Sequence, residues 1–162
     1  MLLLIFIAFV LVVSFGSVVL FGPPFVPTMH RQVGVALDLL DLRPGQTLLE
    51  LGSGDGRVML AAAQRGYKVV GIELNPILVL FSRWRTRKYS QQVRVIWGNY
   101  FRVVWPPADG IFTFMLGRQM ARLDKHIDQW HTKPIHLASF AFKVPGKKPI
   151  KSQDGVFLYL YK

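Results

Sequence analysis

The sequence contains no cysteine, which excludes disulfides, thiolate-bound zinc and a cysteine nucleophile. It is also short of acid: nine Asp and Glu stand against twenty Lys and Arg, a formal net charge of +11. Charge of either sign is missing from residues 1–21, and no Lys, Arg, Asp or Glu occurs before Arg31. No basic residue precedes this apolar run and no Ala-x-Ala follows it. A cleaved secretory signal has both features, so that reading fits poorly. Repeats and low-complexity tracts are also missing, and 162 residues leave room for one compact domain.

What the N-terminus has instead is length. A helix over residues 1–21 rises about 30 Å, the thickness of a bilayer's hydrocarbon core. We therefore expect a transmembrane anchor at 1–21, a Pro-rich connection at 22–28 and one domain at 29–162. All twenty cations lie beyond the anchor, which keeps the domain on the cytoplasmic side of a single-pass membrane protein. A surface this basic attracts anionic lipid, nucleic acid or an acidic protein face. Beside an anchor, membrane lipid is the favoured partner.

Past the connection, Val33, Val35, Ala36, Leu39 and Leu40 recur at helical spacing up to Leu42, and Arg43-Pro44-Gly45-Gln46 makes a turn. Strands are expected at 47–51, 68–72, 93–97, 110–116, 135–142 and 156–161. Helices are expected at 57–64, capped by Gly66, from Asn75-Pro76 through the basic stretch 83–88, and over about 118–130. The segment 143–155, rich in Lys, Pro and Gly, reads as a loop. Alternating strands and helices imply an α/β fold with a mostly parallel sheet covered on both faces. The last two strands have no helix between them, so the final one is expected to be antiparallel.

The chemistry concentrates in Leu49-Glu50-Leu51-Gly52-Ser53-Gly54-Asp55-Gly56-Arg57. A Gly-rich turn after the first strand lets backbone approach a ligand, and the next helix offers its N-terminal amides. Glu73 closes the second strand 21 positions after Gly52, within reach of a ribose diol. Both features also suit a dinucleotide site, whose fingerprint is G-x-G-x-x-G. Here the glycines fall at 52, 54 and 56, and the position that the fingerprint reserves for glycine is Arg57. The acid-x-Gly-x-Gly-x-Gly form instead resembles the first motif of class I methyltransferases that use S-adenosylmethionine. That resemblance implies a Rossmann-like domain. It places Glu50 at the amino acid end of the cofactor, Gly52, Ser53, Gly54 and Gly56 beneath it, and Glu73 with Leu74 at the ribose. After the third strand, Asn99 is either a ligand of the adenine amino group or a plain turn residue, with Tyr100 or Phe101 against the ring.

The likeness goes further. Pro24-Phe25-Val26-Pro27-Thr28 after an apolar run, LGSGDGR at 51–57, GIELNP at 71–76, LGRQM at 116–120 and SFAFKVPG at 139–146 together resemble a narrower group. These are the membrane-anchored lysine methyltransferases of the ATP synthase c-subunit and adenine nucleotide translocase type, with their prokaryotic relatives. The resemblance implies N-methylation of a lysine on a membrane protein. Phe25 stands where that group usually has Tyr, and no organelle-targeting sequence is present, which favours a prokaryotic plasma membrane. The substrate mouth is expected from Phe25, Pro27, Thr28, Leu116 and Gln119, although Leu116 and its neighbours are equally read as core.

Methyl transfer from a sulfonium needs alignment more than a catalytic cluster, and no general base is nominated. His126, His131 and His136 recur every five residues, the wrong spacing for a helical metal pair, so no metal is expected and they read as surface residues. The stretch 83–88 reads as a solvated helix end or a phosphate contact. Nucleic acid is not the expected substrate, because no Asp/Asn-Pro-Pro-aromatic motif follows the fourth strand. Methylation of a lipid-soluble small molecule such as a quinone precursor, and a non-catalytic scaffold that binds S-adenosylmethionine, stay open as alternatives.

Overall fold

The computed structural model describes residues 1, 2, 4, 5 and 28–162. The expected anchor at 1–21, apart from those four positions, and residues 22–27 lie outside the described residues. Among the described residues, no helix is long and apolar enough to cross a membrane.

In chain order the elements are α1 (His30–Leu40), β1 (Thr47–Leu51), α2 (Arg57–Gln64), β2 (Lys68–Glu73) and α3 (Pro76–Arg85). A 3-10 turn (Arg87–Tyr89) follows, then β3 (Val93–Trp97), β4 (Gly110–Thr113), α4 (Gly117–Trp130), β5 (Ile135–Phe140), β6 (Lys151–Gln153) and β7 (Val156–Tyr161). They build one seven-stranded sheet in the order β3-β2-β1-β4-β5-β7-β6. The first five strands pair in parallel, and β7 runs antiparallel to both β5 and β6. This is the class I, Rossmann-like arrangement expected of the domain.

Strand side chains alternate between faces, so neighbouring residues enter different cores. Leu48 joins α1, α2 and α3 through Leu37, Met59 and Val79. Leu49 and Leu51 join α4 on the opposite face through Met120, Leu123 and Ile127. The central strands β1 and β4 are almost wholly buried, which is why they read as continuous apolar runs.

Helix boundaries follow local chemistry. The Asn75 side chain accepts from Ile77 N–H (2.9 Å) and Leu78 N–H (3.4 Å), and Pro76 occupies the first helical position, so α3 starts there. Gly66, at φ 82°, receives the end of α2.

Four expectations need correction. The first helix ends at Leu40, because Asp41 turns left-handed at φ 48°. The basic stretch is no single helix, since α3 stops at Arg85 and a 3-10 turn takes over. Both β4 and β5 stop short, β5 because Ala141 at φ 65° breaks the ladder. Within the expected loop 143–155, Lys151–Gln153 forms an edge strand against β7. All three of its residues are exposed and none is apolar, so no alternation marks it in the sequence.

Candidate functional site

The parallel strands β1, β2 and β4 end together, and the loop after β1 folds back across the end of β2. Gly52 and Ser53 both donate their N–H to the Ile72 carbonyl, at 2.9 and 3.1 Å. In such sheets the crevice at the strand carboxyl ends is where ligands bind. Gly52 sits at φ 79°, and a Cβ there would meet nothing within 4 Å. Its surroundings are open, as a backbone that a ligand must approach requires. Gly56 is the opposite case. A Cβ there would lie 2.8 Å from Ser82 Cβ and 3.1 Å from Ser82 Cα, so this glycine lets α3 close on the start of α2.

Two carboxylates, Glu50 and Glu73, are buried near the ends of β1 and β2. Glu73 accepts from Gly54 N–H through Oε2 and from Asn75 N–H through Oε1, both at 2.8 Å, which fixes the loop to the end of β2. Burial pushes its carboxyl up from the usual range, with the two amides and that of Leu74 opposing. Glu50, on β1 beside Gly71 and Phe112, is only 3% exposed. Burial raises its carboxyl well above the ordinary value, the charges of Asp55 and Glu73 add to this, and the Met59 backbone opposes it. Glu50 Oε2 and Ser53 Oγ are buried and have no hydrogen-bond partner among the described residues. Orphaned polar atoms in native cores call for an explanation. A ligand carrying an ammonium group and hydroxyls would satisfy them, which is the chemistry of an amino acid–nucleoside cofactor.

The wall facing α4 brings together Tyr100, Gln119 and Leu116. The Tyr100 hydroxyl donates to Gln119 Oε1 at 3.0 Å, and Gln119 N–H donates to the Leu116 carbonyl at 2.9 Å. Burial and the Glu73 charge push the Tyr100 phenol up to about 12, so it keeps its proton at neutral pH. Asn99 Oδ1 accepts from Phe101 N–H at 2.9 Å. It therefore holds the turn after β3 and keeps a second lone pair for another donor. The Leu74 carbonyl accepts from the Trp97 indole at 3.0 Å.

Thr28 is buried, and its carbonyl accepts from Arg57 at 3.1 Å. Phe25 and Pro27 lie outside the described residues. The three histidines are part-exposed, and two of them are tied to neighbours. The His126 ring packs 4.5 Å from Trp105, and both ring nitrogens of His131 meet backbone carbonyls, those of Ile127 and Lys162. Among the described residues no group of His, Asp or Glu could hold a metal.

Two features escaped the sequence reading. Asp55 pairs with Arg57 at 2.7 Å and with Arg85 at 2.6 Å. Burial alone would raise its carboxyl, but the two guanidiniums hold it below the usual range. Arg57, read only as a departure from a glycine pattern, thus ties the loop to Thr28, and Arg85 is no solvated helix end. The second is an aromatic wall beyond β4 and β5, where Phe114 lies 4.7 Å from Phe140 and 6.4 Å from Phe142. The Ala141 turn gathers the last two rings, and Ser139 Oγ donates to the Phe142 carbonyl at 2.7 Å. The repeated Phe of SFAF is its one signal in the sequence.

The sequence model of the ANTKMT methyltransferase domain matches residues 50–151, from the buried acid of β1 to the edge strand. The chain belongs to this family. The human lysine N-methyltransferase of the ATP synthase c-subunit is 32% identical over 128 residues, 78% of this chain and 54% of the relative. The chain spans about half the length of such animal relatives. A protein-lysine N-methyltransferase of Saccharolobus islandicus is 26% identical over 149 residues, covering 85% of this chain and 92% of that one. Among solved structures, an RNA methyltransferase from Salinibacter ruber in complex with S-adenosyl-L-homocysteine superposes with a TM-score of 0.77. It shares 26% identity and covers 84% of this chain and 92% of that one. The ANTKMT-type domain described here is a methyltransferase with S-adenosylmethionine as its cofactor, and its orphaned Glu50 and Ser53 fit that group.

Proposed function

We propose that the chain is a protein-lysine N-methyltransferase acting on a membrane protein, held by residues 1–21 with its domain on the cytoplasmic face of a prokaryotic plasma membrane. The observation that carries the reaction is the buried Glu50 and Glu73 pair at the ends of β1 and β2, in a domain whose relatives are named lysine methyltransferases.

When bound, S-adenosylmethionine supplies a methyl group activated by the positive charge of its sulfur. Glu73 has lone pairs left and would accept ribose hydroxyls, and Glu50 would meet the ammonium group. That cation would favour the charged form of a carboxyl whose ionisation burial opposes. The acceptor lysine must arrive without its proton. The aromatic wall of Phe114, Phe140 and Phe142 would lower the pKa of an amine brought against it by desolvation. Tyr100 is too weak an acid to serve as a base at neutral pH, so its part is to position Gln119.

A nucleic acid reading draws on the net charge of +11 and on the Salinibacter neighbour. The residues after β4 are Phe114-Met115-Leu116-Gly117, without the polar motif that would grip a base amine. Incubating membranes carrying the chain with methyl-labelled cofactor tests the choice. Label is expected in a membrane protein as methylated lysine, found by mass spectrometry. Label in an organic extract would establish the small-molecule reading, label in RNA the nucleic acid reading, and none with the cofactor bound a scaffold.

A further inference from the structure

Large apolar side chains on one flank of the domain are exposed to solvent. Leu80 is 65% exposed, Phe81 41% and Trp84 58%, all on α3, and Trp97 at the end of β3 is 64% exposed. Leu80 and Trp84 are one helical turn apart with Phe81 beside them, while Leu78, Val79 and Ser82 bury the inner face of the helix. The Trp97 indole bonds to the Leu74 carbonyl, which sets this ring beside the start of α3. Scattered apolar residues on a surface mean little, but a contiguous patch marks an interaction site.

Cations are laid over and beside the patch. The Arg85 guanidinium sits 4.9 Å above Phe81 and that of Arg87 4.8 Å above Trp84. Next to the patch opens a groove of about 490 Å³ with Arg83, Thr86, Arg87, Ser90 and Arg94 in its lining, beside Val93 and Val95. None of those three arginines has an ion pair among the described residues. Arg83 donates to the Val95 carbonyl and Arg87 to that of Trp84, each at 2.9 Å. Two of the three guanidiniums are thus held in place with N–H donors to spare, an arrangement suited to a phosphate.

The flank is also joined to the point where the chain arrives from its uncharged N-terminal run. Thr28 is bonded to Arg57 (3.1 Å), Arg57 to Asp55 (2.7 Å) and Asp55 to Arg85 (2.6 Å), and Arg85 covers Phe81. Tryptophan over an apolar stripe edged by arginine is the pattern of a face lying in the headgroup region of a bilayer. We infer that the outer face of α3, with Trp97, is a second membrane contact that docks on an anionic bilayer. Leu80, Phe81 and Trp84 enter the headgroup boundary, and a lipid phosphate occupies the groove between Arg83, Arg87 and Arg94. Because α3 begins three residues after Glu73, docking holds the cofactor crevice at the membrane surface. The inference rests on the membrane placement proposed above but not on the reaction.

The lack of cysteine makes a direct test simple. Leu80→Cys, and Lys125→Cys at an exposed position of α4 as reference, are made in the full chain and labelled with an environment-sensitive fluorophore. Each is reconstituted into vesicles of phosphatidylcholine alone or mixed with phosphatidylglycerol. With phosphatidylglycerol, the probe at 80 is expected to shift to the blue. Nitroxide-labelled lipid is expected to quench it severalfold more than in phosphatidylcholine alone, while the probe at 125 stays in water. Adding Arg87→Glu and Arg94→Glu is expected to remove the difference. The inference is overturned if the chain does not float with anionic vesicles, or if the probe at 80 stays in water in both. Shielding without lipid quenching also overturns it, since a protein, an RNA or another part of the chain then covers α3. So does quenching indifferent to both phosphatidylglycerol and the arginines. Docking without methyl transfer counts against the proposed reaction alone.

Discussion

Glu50 is placed at a cost to the stability of the fold. Its carboxyl is buried beside two other acids, so ionisation is disfavoured and its pKa is raised. An acid that binds its proton more tightly when folded makes stability fall as pH rises from the ordinary carboxylate range through the raised value. Glu50→Gln removes the charge and keeps the shape. It is expected to raise the unfolding midpoint at neutral pH and to flatten that decline, as read by thermal melts across pH. The same substitution is expected to weaken S-adenosylmethionine binding about tenfold or more, since hydrogen bonds to charged groups contribute about 1.5–3 kcal/mol. Calorimetry in buffers of different ionisation enthalpy is expected to show a proton released on binding by the native protein and not by Glu50→Gln. Binding unchanged by the substitution would remove Glu50 from the cofactor site.

At the scale of elements, the contact that decides the loop geometry is between α2 and α3. Gly56 carries a left-handed backbone and also leaves the space that Ser82 fills. Gly56→Ala is expected to cost about 1–3 kcal/mol from the backbone alone, with a further loss as α3 is pushed outward. Adding Ser82→Gly is expected to recover part of that further loss and none of the first, once the cost of about 1 kcal/mol of a glycine inside α3 is read from Ser82→Gly alone, all by denaturant unfolding. Full recovery would mean that crowding, not conformation, is the whole effect. The glycines at 52, 54 and 56, and the acid that ends β2, were legible in the sequence because a tight turn after one strand and a carboxylate closing the next leave fixed spacings. The apolar runs of β1 and β4 were legible because both their faces are buried. By contrast, Asp55–Arg57–Arg85 was not, since Arg85 comes from a different helix and nothing in a linear pattern announces a pairing 30 residues apart. The edge strand Lys151–Gln153 was missed for a related reason: its order comes from the β7 backbone, not from its own side chains.

For the whole molecule, the division of charge is the main fact: an uncharged run at 1–21, then a domain carrying a net +11. Deleting residues 1–21 is expected to move the chain from a membrane fraction that resists salt to one released near 1 M salt, where screening reaches about 3 Å. Sedimentation before and after a salt wash reads this. A truncated chain that survives the wash would show that the N-terminal run is not the anchor. The order of strands adds a consequence in time. β7, last in sequence, lies between β5 and β6, not at a border of the sheet. At about 5–20 residues per second, the ribosome completes β1 to β5 while the side of β5 that will receive β7 has no neighbour. The edge of β5 therefore stays unpaired until Val156–Tyr161 has been made and has folded back, so the strand that closes the parallel half of the sheet is among the last to dock.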